Sequence, residues 1–172
     1  MGVPFRRSAP SPPPEDVIRL GRELAKLDPW AFWTVELDPG AGASFAVLGV
    51  TGAFVAAACP LEGYLVAEGR RLVVDGAEVR GFREVKRAAK SLRGKLLGIG
   101  AGTEEVTPMI VLTRAVAGAP RRVQAVHVLR PGDVVPVLTG RERVLDPSTA
   151  ERLAHRLGRV LPGAARRPAP EE

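Results

Sequence analysis

The sequence predicts an α/β domain in three layers, a mixed sheet with helices packed on both sides. Three observations predict it. Residues 44–59, SFAVLGVTGAFVAAAC, run without a charge in a chain that is 26% charged. Further strand-like apolar runs stand at 107–115 and 123–129, and segments of helical periodicity lie before, between and after these runs. Strands apolar on both faces need cover on both faces, and helices interleaved with them supply it.

The elements follow in order. Residues 14–29, PEDVIRLGRELAKLDP, predict a helix: Pro14 suits the first turn, Glu15 and Asp16 favour the positive end of the helix dipole, and Pro29 marks the stop. Val17, Leu20, Leu24 and Leu27 make its apolar stripe. Residues 30–38 read as an edge-like strand leading into the uncharged stretch. That stretch, counted from Pro39 to Leu61, is about as long as a membrane helix requires, yet Pro39, Gly40, Gly42, Gly49, Gly52 and Pro60 interrupt it. Two apolar runs around Gly49-Val50-Thr51-Gly52 predict a β-hairpin buried on both faces. Residues 63–79 read as short antiparallel strands with turns at Glu68-Gly69-Arg70 and Asp75-Gly76-Ala77.

A helix is expected over 82–99, strands over 107–115 and 123–129, and a short helix or loop over 131–140. A last helix over 146–161 has Asp146 as its cap and Pro147 at its first position. At 172 residues the chain suits one domain, placed at 15–162. Residues 1–14 and 163–172, rich in Pro, Ala and charge, read as disordered tails.

Composition bounds the function. A single cysteine excludes an internal disulfide framework and a multi-cysteine zinc site, which points to a reducing, cytoplasmic setting. The first residues have no apolar core of a secretory signal, and no segment reads as a membrane span. The net charge of +6 suits an anionic partner, although many basic proteins bind none. The charge is most lopsided in the helix over 82–99. Arg83, Lys86, Arg87, Lys90 and Arg93 fall within an arc of about 120°, beside an apolar arc of Phe82, Val85, Ala89, Leu92 and Leu96. Such a stripe fits phosphate contacts to DNA or RNA; a solvated amphipathic face is the plainer explanation.

The hairpin and the order of elements resemble the nuclease-related domain family, whose members carry a restriction-endonuclease-like core of the PD-(D/E)XK type. Gly49, Gly52, Phe54 and Val55 match the framework of the family's hairpin in their mutual spacing. Leu72-Val73-Val74 with Gly76, the strand from Thr107 to Leu112, and the segment 123–138 resemble later family elements. The resemblance covers about residues 15–161.

The resemblance implies a catalytic centre that has been lost. Ser44 stands where the family has its metal-binding Asp, Phe45 where a His follows, Ala57 where the second acid belongs, and Cys59 where the Lys belongs. A hard cation takes oxygen ligands, so Ser offers one weak donor, Ala none, and Cys a soft one. An acid early in the first helix survives as Glu15, with Asp16 equally placed, although any helix start favours an acid there.

The expectation is a catalytically inactive domain without cofactor, retained to bind nucleic acid through the basic helix or to bind a protein. The alternative is an active Mg- or Mn-dependent nuclease built on displaced acids, Glu15, Glu36, Asp38 or Glu62. A third reading is an interaction scaffold with no nucleic-acid role. Cys59 is expected as a buried apolar residue, His127 as a satisfied core histidine and His155 as exposed. Residues 98–105, GIGAGTEE, resemble a phosphate loop in outline only. They lack the Lys-Ser/Thr pair and follow a helix, so they read as a helix cap and loop.

Overall fold

The computed structural model describes residues 14–37, 42–79, 81–100, 105–118, 122–161 and 165–166. The chain runs α1 (Pro14–Leu24), β1 (Phe32–Glu36), β2 (Phe45–Gly49), β3 (Gly52–Cys59), β4 (Gly63–Glu68), β5 (Arg71–Val74), β6 (Ala77–Glu78) and α2 (Gly81–Gly98). It continues with β7 (Val106–Leu112), β8 (Val116–Ala117), β9 (Arg122–Val123) and β10 (Val126–Leu129). A 3-10 turn, Pro131–Asp133, leads into α3 (Val134–Thr139), and α4 (Pro147–Val160) and β11 (Ala165–Arg166) follow.

The main sheet has the strand order β11-β1-β2-β3-β7-β10-β9. Strands β1, β2 and β3 form an antiparallel meander; β7 then lies parallel to β3, and β10 parallel to β7. The parallel step from β3 to β7 requires a crossover, which α2 provides. Side-chain alternation divides the core between the two faces. On one face Val55, Ala57, Cys59, Ile110 and Val128 pack with the apolar stripes of α2 and α4. On the other, Phe54, Ala56, Ala58, Met109 and Leu129 pack with Leu20 and Leu24 of α1 and Val134 and Leu138 of α3. This is the expected three-layer α/β arrangement.

The hairpin forms as the sequence suggests, with Gly49 opposite Gly52 and every residue of β2 and β3 buried. A Cβ on Gly49 would come within 2.2 Å of the Phe32 ring and 2.9 Å of the Ala31 carbonyl, so only glycine fits between the strands. Val50 and Thr51 cannot readily adopt positive φ, and Gly52, at φ +125°, makes the reversal instead. The turn is held in place from outside. Thr51 Oγ1 donates to the Leu138 carbonyl at 2.6 Å, and the Val144 and Leu145 N–H groups donate to the Val50 carbonyl.

Other expectations need correction. Helix α1 ends at Leu24; Leu27 is still buried, but it is carried by the irregular turns that follow. The strand near residue 32 is not an edge, because β11 pairs with its outer side through Thr34↔Arg166 and Val35↔Ala165. Those two residues lie in the segment read as a C-terminal tail. Strands β4, β5 and β6 do not extend the main sheet; with β8 they make a separate four-stranded sheet, β6-β5-β4-β8. The expected strand over 123–129 is a small hairpin, β9 and β10, reversed at Gln124 and Ala125 with φ of 48° and 67°. Helix α4 begins as expected, with the Asp146 carboxylate accepting from the Thr149 N–H at 3.0 Å.

Candidate functional site

Of the positions that the resemblance marks as degenerate, Ala57 and Cys59 share one face of the sheet, and Ser44 lies at the end of the neighbouring strand. The β2–β3 pairing ends at Phe45↔Ala56, and the Ser44 N–H donates to that same Ala56 carbonyl at 2.9 Å, which keeps Ser44 beside the start of the pair. Cys59 stands two residues along β3 from Ala57, on the same face. Ala57 and Cys59 are 8% and 4% exposed and belong to the same apolar cluster as Leu65, Phe82 and Val85. Burial pushes the Cys59 thiol up, with the nearby Asp16 charge adding to the effect, so the sulfur stays protonated at neutral pH. This donor set does not fit a hard divalent cation: a methyl group and a buried thiol stand at the two positions where the resemblance would put an acid and a lysine.

The acids nearest this end of the sheet are held by an arginine. Asp16, in the first turn of α1, is buried, and Thr113 and Arg114 directly follow β7. The Thr113 hydroxyl donates to Asp16 Oδ1 at 2.6 Å and lies 3.1 Å from the Cys59 carbonyl. Arg114 clamps the same carboxylate from both sides, Nε to Oδ1 at 3.2 Å and Nη2 to Oδ2 at 3.0 Å, and Nη2 also reaches Glu15 Oε1 at 3.0 Å. Arg19 donates to the Thr113 carbonyl. The Arg114 hydrogen bonds above all, helped by the Thr113 hydroxyl and the charges of Arg114 and Arg19, hold Asp16 below the ordinary carboxylate value against the opposing effect of burial. Asp16, with further help from the charges of Glu15 and Glu62, raises Arg114 in turn.

The acid that enters the structure is therefore Asp16; Glu15 is an exposed outer partner at 77% side-chain exposure. Of the other acids that the active-nuclease alternative would use, Glu62 lies in the field of Arg114, Glu36 is exposed at the end of β1, and Asp38 lies outside the described residues. Among the described residues no group of three or more His, Cys, Asp or Glu is placed to hold a metal. The signal for this cluster in the sequence was slight, a polar Thr113-Arg114 pair closing the apolar run of β7.

The basic stripe lies on the outer surface of α2. Arg83, Arg87, Lys90 and Arg93 are exposed, while Phe82, Val85, Ala88, Ala89, Leu92 and Leu96 face the sheet. Lys86 is half-buried; its Nζ donates to Gln124 Oε1 at 2.9 Å and lies 5.4 Å from the Phe82 ring centroid. None of these five cations forms an ion pair among the described residues. The first turn of α2 abuts the chain that leads to Ser44: a Cβ on Gly42 would lie 2.6 Å from the Glu84 carbonyl oxygen, and Gly42 has φ +80°. Helix α4 packs beside α2 on the same face of the sheet and adds exposed Arg152, Arg156 and Arg159.

His155 is exposed, as expected, with Glu151 at 3.9 Å. His127 is not a core residue. It is half-buried at the other end of the parallel strands, where Arg141 Nη2 approaches its Nε2 at 2.9 Å. Of residues 98–105, those at 101–104 lie outside the described residues. No helix among the described residues is long and apolar enough to cross a membrane. No family model, curated protein or solved structure matches the chain.

Proposed function

We propose that the chain is a nuclease-related domain that has lost its catalytic centre and is retained to bind nucleic acid through the outer face of α2. The reading is supported by a separation of the two parts of such a site. The hairpin keeps the family's framework glycines and Phe54, but its would-be ligand positions at Ala57 and Cys59 lie within the apolar core. Two acids at that end, Asp16 and Glu15, are tied up in ion pairs with Arg114. The positive charge lies outside, on an exposed helical stripe whose first turn touches the segment before Ser44. A row of cations at helical spacing, with no ion pair among the described residues, contacts phosphates without reading bases, so the binding is salt-sensitive and largely indifferent to sequence.

The test is neutralisation of the stripe. Arg83→Gln, Arg87→Gln and Lys90→Gln together remove three exposed charges and no core contact. Affinity for a short DNA duplex at low salt is expected to fall on the order of 10²-fold, and the slope of log K against log salt to flatten by about 2–3. Fluorescence anisotropy across a salt series measures both quantities. An unchanged affinity and slope in the triple variant would remove α2 as the contact surface.

A further inference from the structure

A second polar cluster lies at the opposite end of the parallel strands from Asp16 and Arg114, on the face covered by α1 and α3. Arg141, on the segment after α3, is half-buried. Its Nη1 donates to Thr107 Oγ1 at 3.0 Å, its Nη2 to His127 Nε2 at 2.9 Å, and its Cζ stands 5.3 Å from the Phe54 ring centroid. No carboxylate among the described residues lies within the 4.0 Å of an ion pair to this guanidinium. Partial burial and the neighbouring Arg122 both lower Arg141. Arg122 stands directly opposite His127 in the β9–β10 register, so the two side chains project side by side. Two guanidiniums are thus gathered beside one imidazole with no ion pair to either among the described residues, and their like charges repel.

Arg122 and His127 border a cleft of about 370 Å³, which Val128, Leu129, Asp133, Pro136 and Val137 also line, and Arg141 is linked to it through His127. That is the size of a small-molecule site, apolar on one side with few polar groups. Because Arg141 donates to Nε2, neutral His127 carries its proton on Nδ1, and no described group takes up that N–H. Asp133 lines the cleft as well, without reaching ion-pair distance of either arginine.

We infer that this cleft binds the phosphate group of a small molecule, with Arg122 and the His127 Nδ1–H as its donors and Arg141 as the residue that orients His127. Pro136, Val137 and Leu129 offer an apolar surface to the rest of the ligand, and Asp133 accepts from a ligand hydroxyl or amino group while repelling a bare oxyanion. The site lies on the α1–α3 face of the sheet, across from the exposed part of the α2 stripe, and stands whether or not the domain binds nucleic acid.

The chain has two histidines, so ring NMR signals report the site directly, with exposed His155 as the internal control. Burial first, then the charges of Arg141 and Arg122, lowers the His127 titration midpoint from the ordinary 6.5 in the free protein. Inorganic phosphate and adenosine monophosphate are each expected to shift the His127 signals saturably and to raise that midpoint, leaving His155 unmoved. Arg122→Gln, an exposed substitution, should weaken both probes about tenfold, one charge-assisted hydrogen bond's worth. Asp133→Asn should tighten inorganic phosphate. The inference is overturned if His127 does not respond to either probe through the millimolar range, or if Arg122→Gln responds as the parent does. It is equally overturned if His127 moves only with an oligonucleotide, which would make the cluster part of a nucleic-acid path.

Discussion

Replacing Phe54 by alanine is expected to destabilise the fold by about 3–5 kcal/mol, a large part of the stability of an ordinary domain. Phe54 is fully buried on β3, paired with Val47 on one side and Thr107 on the other. Its neighbours along β3 on the same face, Ala56 and Ala58, are too small to close over the space it would leave. Its ring also faces the Arg141 guanidinium. Removing it costs the transfer of an aromatic ring, the cavity left behind and a cation–π contact. Urea unfolding reads the effect as a lower midpoint at unchanged slope. Phe54→Leu should recover most of the loss, because a large apolar side chain again fills the site. A cost below about 1 kcal/mol for Phe54→Ala would show that this face of the hairpin is not a packed core.

The second large effect is expected at Asp16, where alanine should cost about 2–3 kcal/mol at neutral pH. Its carboxylate accepts from the Thr113 hydroxyl and from two nitrogens of Arg114, so its removal leaves those donors at a largely buried site. Arg114 is a third exposed and can recover some hydration, which keeps the cost below that of breaking a fully buried pair. Asp16 is held below its ordinary value of 3.8 in the folded protein. Its contribution is therefore fully present above 3.8 and lost as pH falls through the lower, folded value. The stability difference between the parent and Asp16→Ala should accordingly narrow in acid. A difference that stays constant down to acid unfolding would mean that the carboxylate is not bound as described.

What the sequence disclosed, and what it hid, divides along the range of the interactions. The hairpin was legible because Gly49 and Gly52 mark a turn between two runs that contain no charge. The start of α4 was legible because Asp146-Pro147 carries a local capping signal. The basic face of α2 followed from spacing alone. Strand β11 was not legible, since two residues in a Pro- and Ala-rich segment become a strand only through pairing with β1. Nor was the β9–β10 reversal, which places Gln124 and Ala125 at positive φ without a glycine. The second sheet was hidden because β4 and β5 have the same apolar pattern whichever sheet they join.

The candidate site shows the same division. Ala57 and Cys59 could be placed on one face from the alternation along the strand. That Asp16 rather than Glu15 turns inward could not be told from two adjacent acids at a helix start, which local physics treats alike. Their difference is set by Thr113 and Arg114, nearly a hundred residues away. Arg141 was equally hidden: nothing in Gly140-Arg141-Glu142 indicates that its guanidinium turns inward toward Phe54, Thr107 and His127.

The most direct test of the central claim is a gel of supercoiled plasmid incubated with the purified protein at low salt, with Mn²⁺ or with EDTA, each loaded with and without prior protease digestion. A domain that binds nucleic acid without cutting it should retard the plasmid in both conditions, and protease should release it intact. Nicked or linear plasmid appearing only with Mn²⁺ would contradict the account and restore the enzyme, whereas no retardation in any lane would contradict nucleic-acid binding itself.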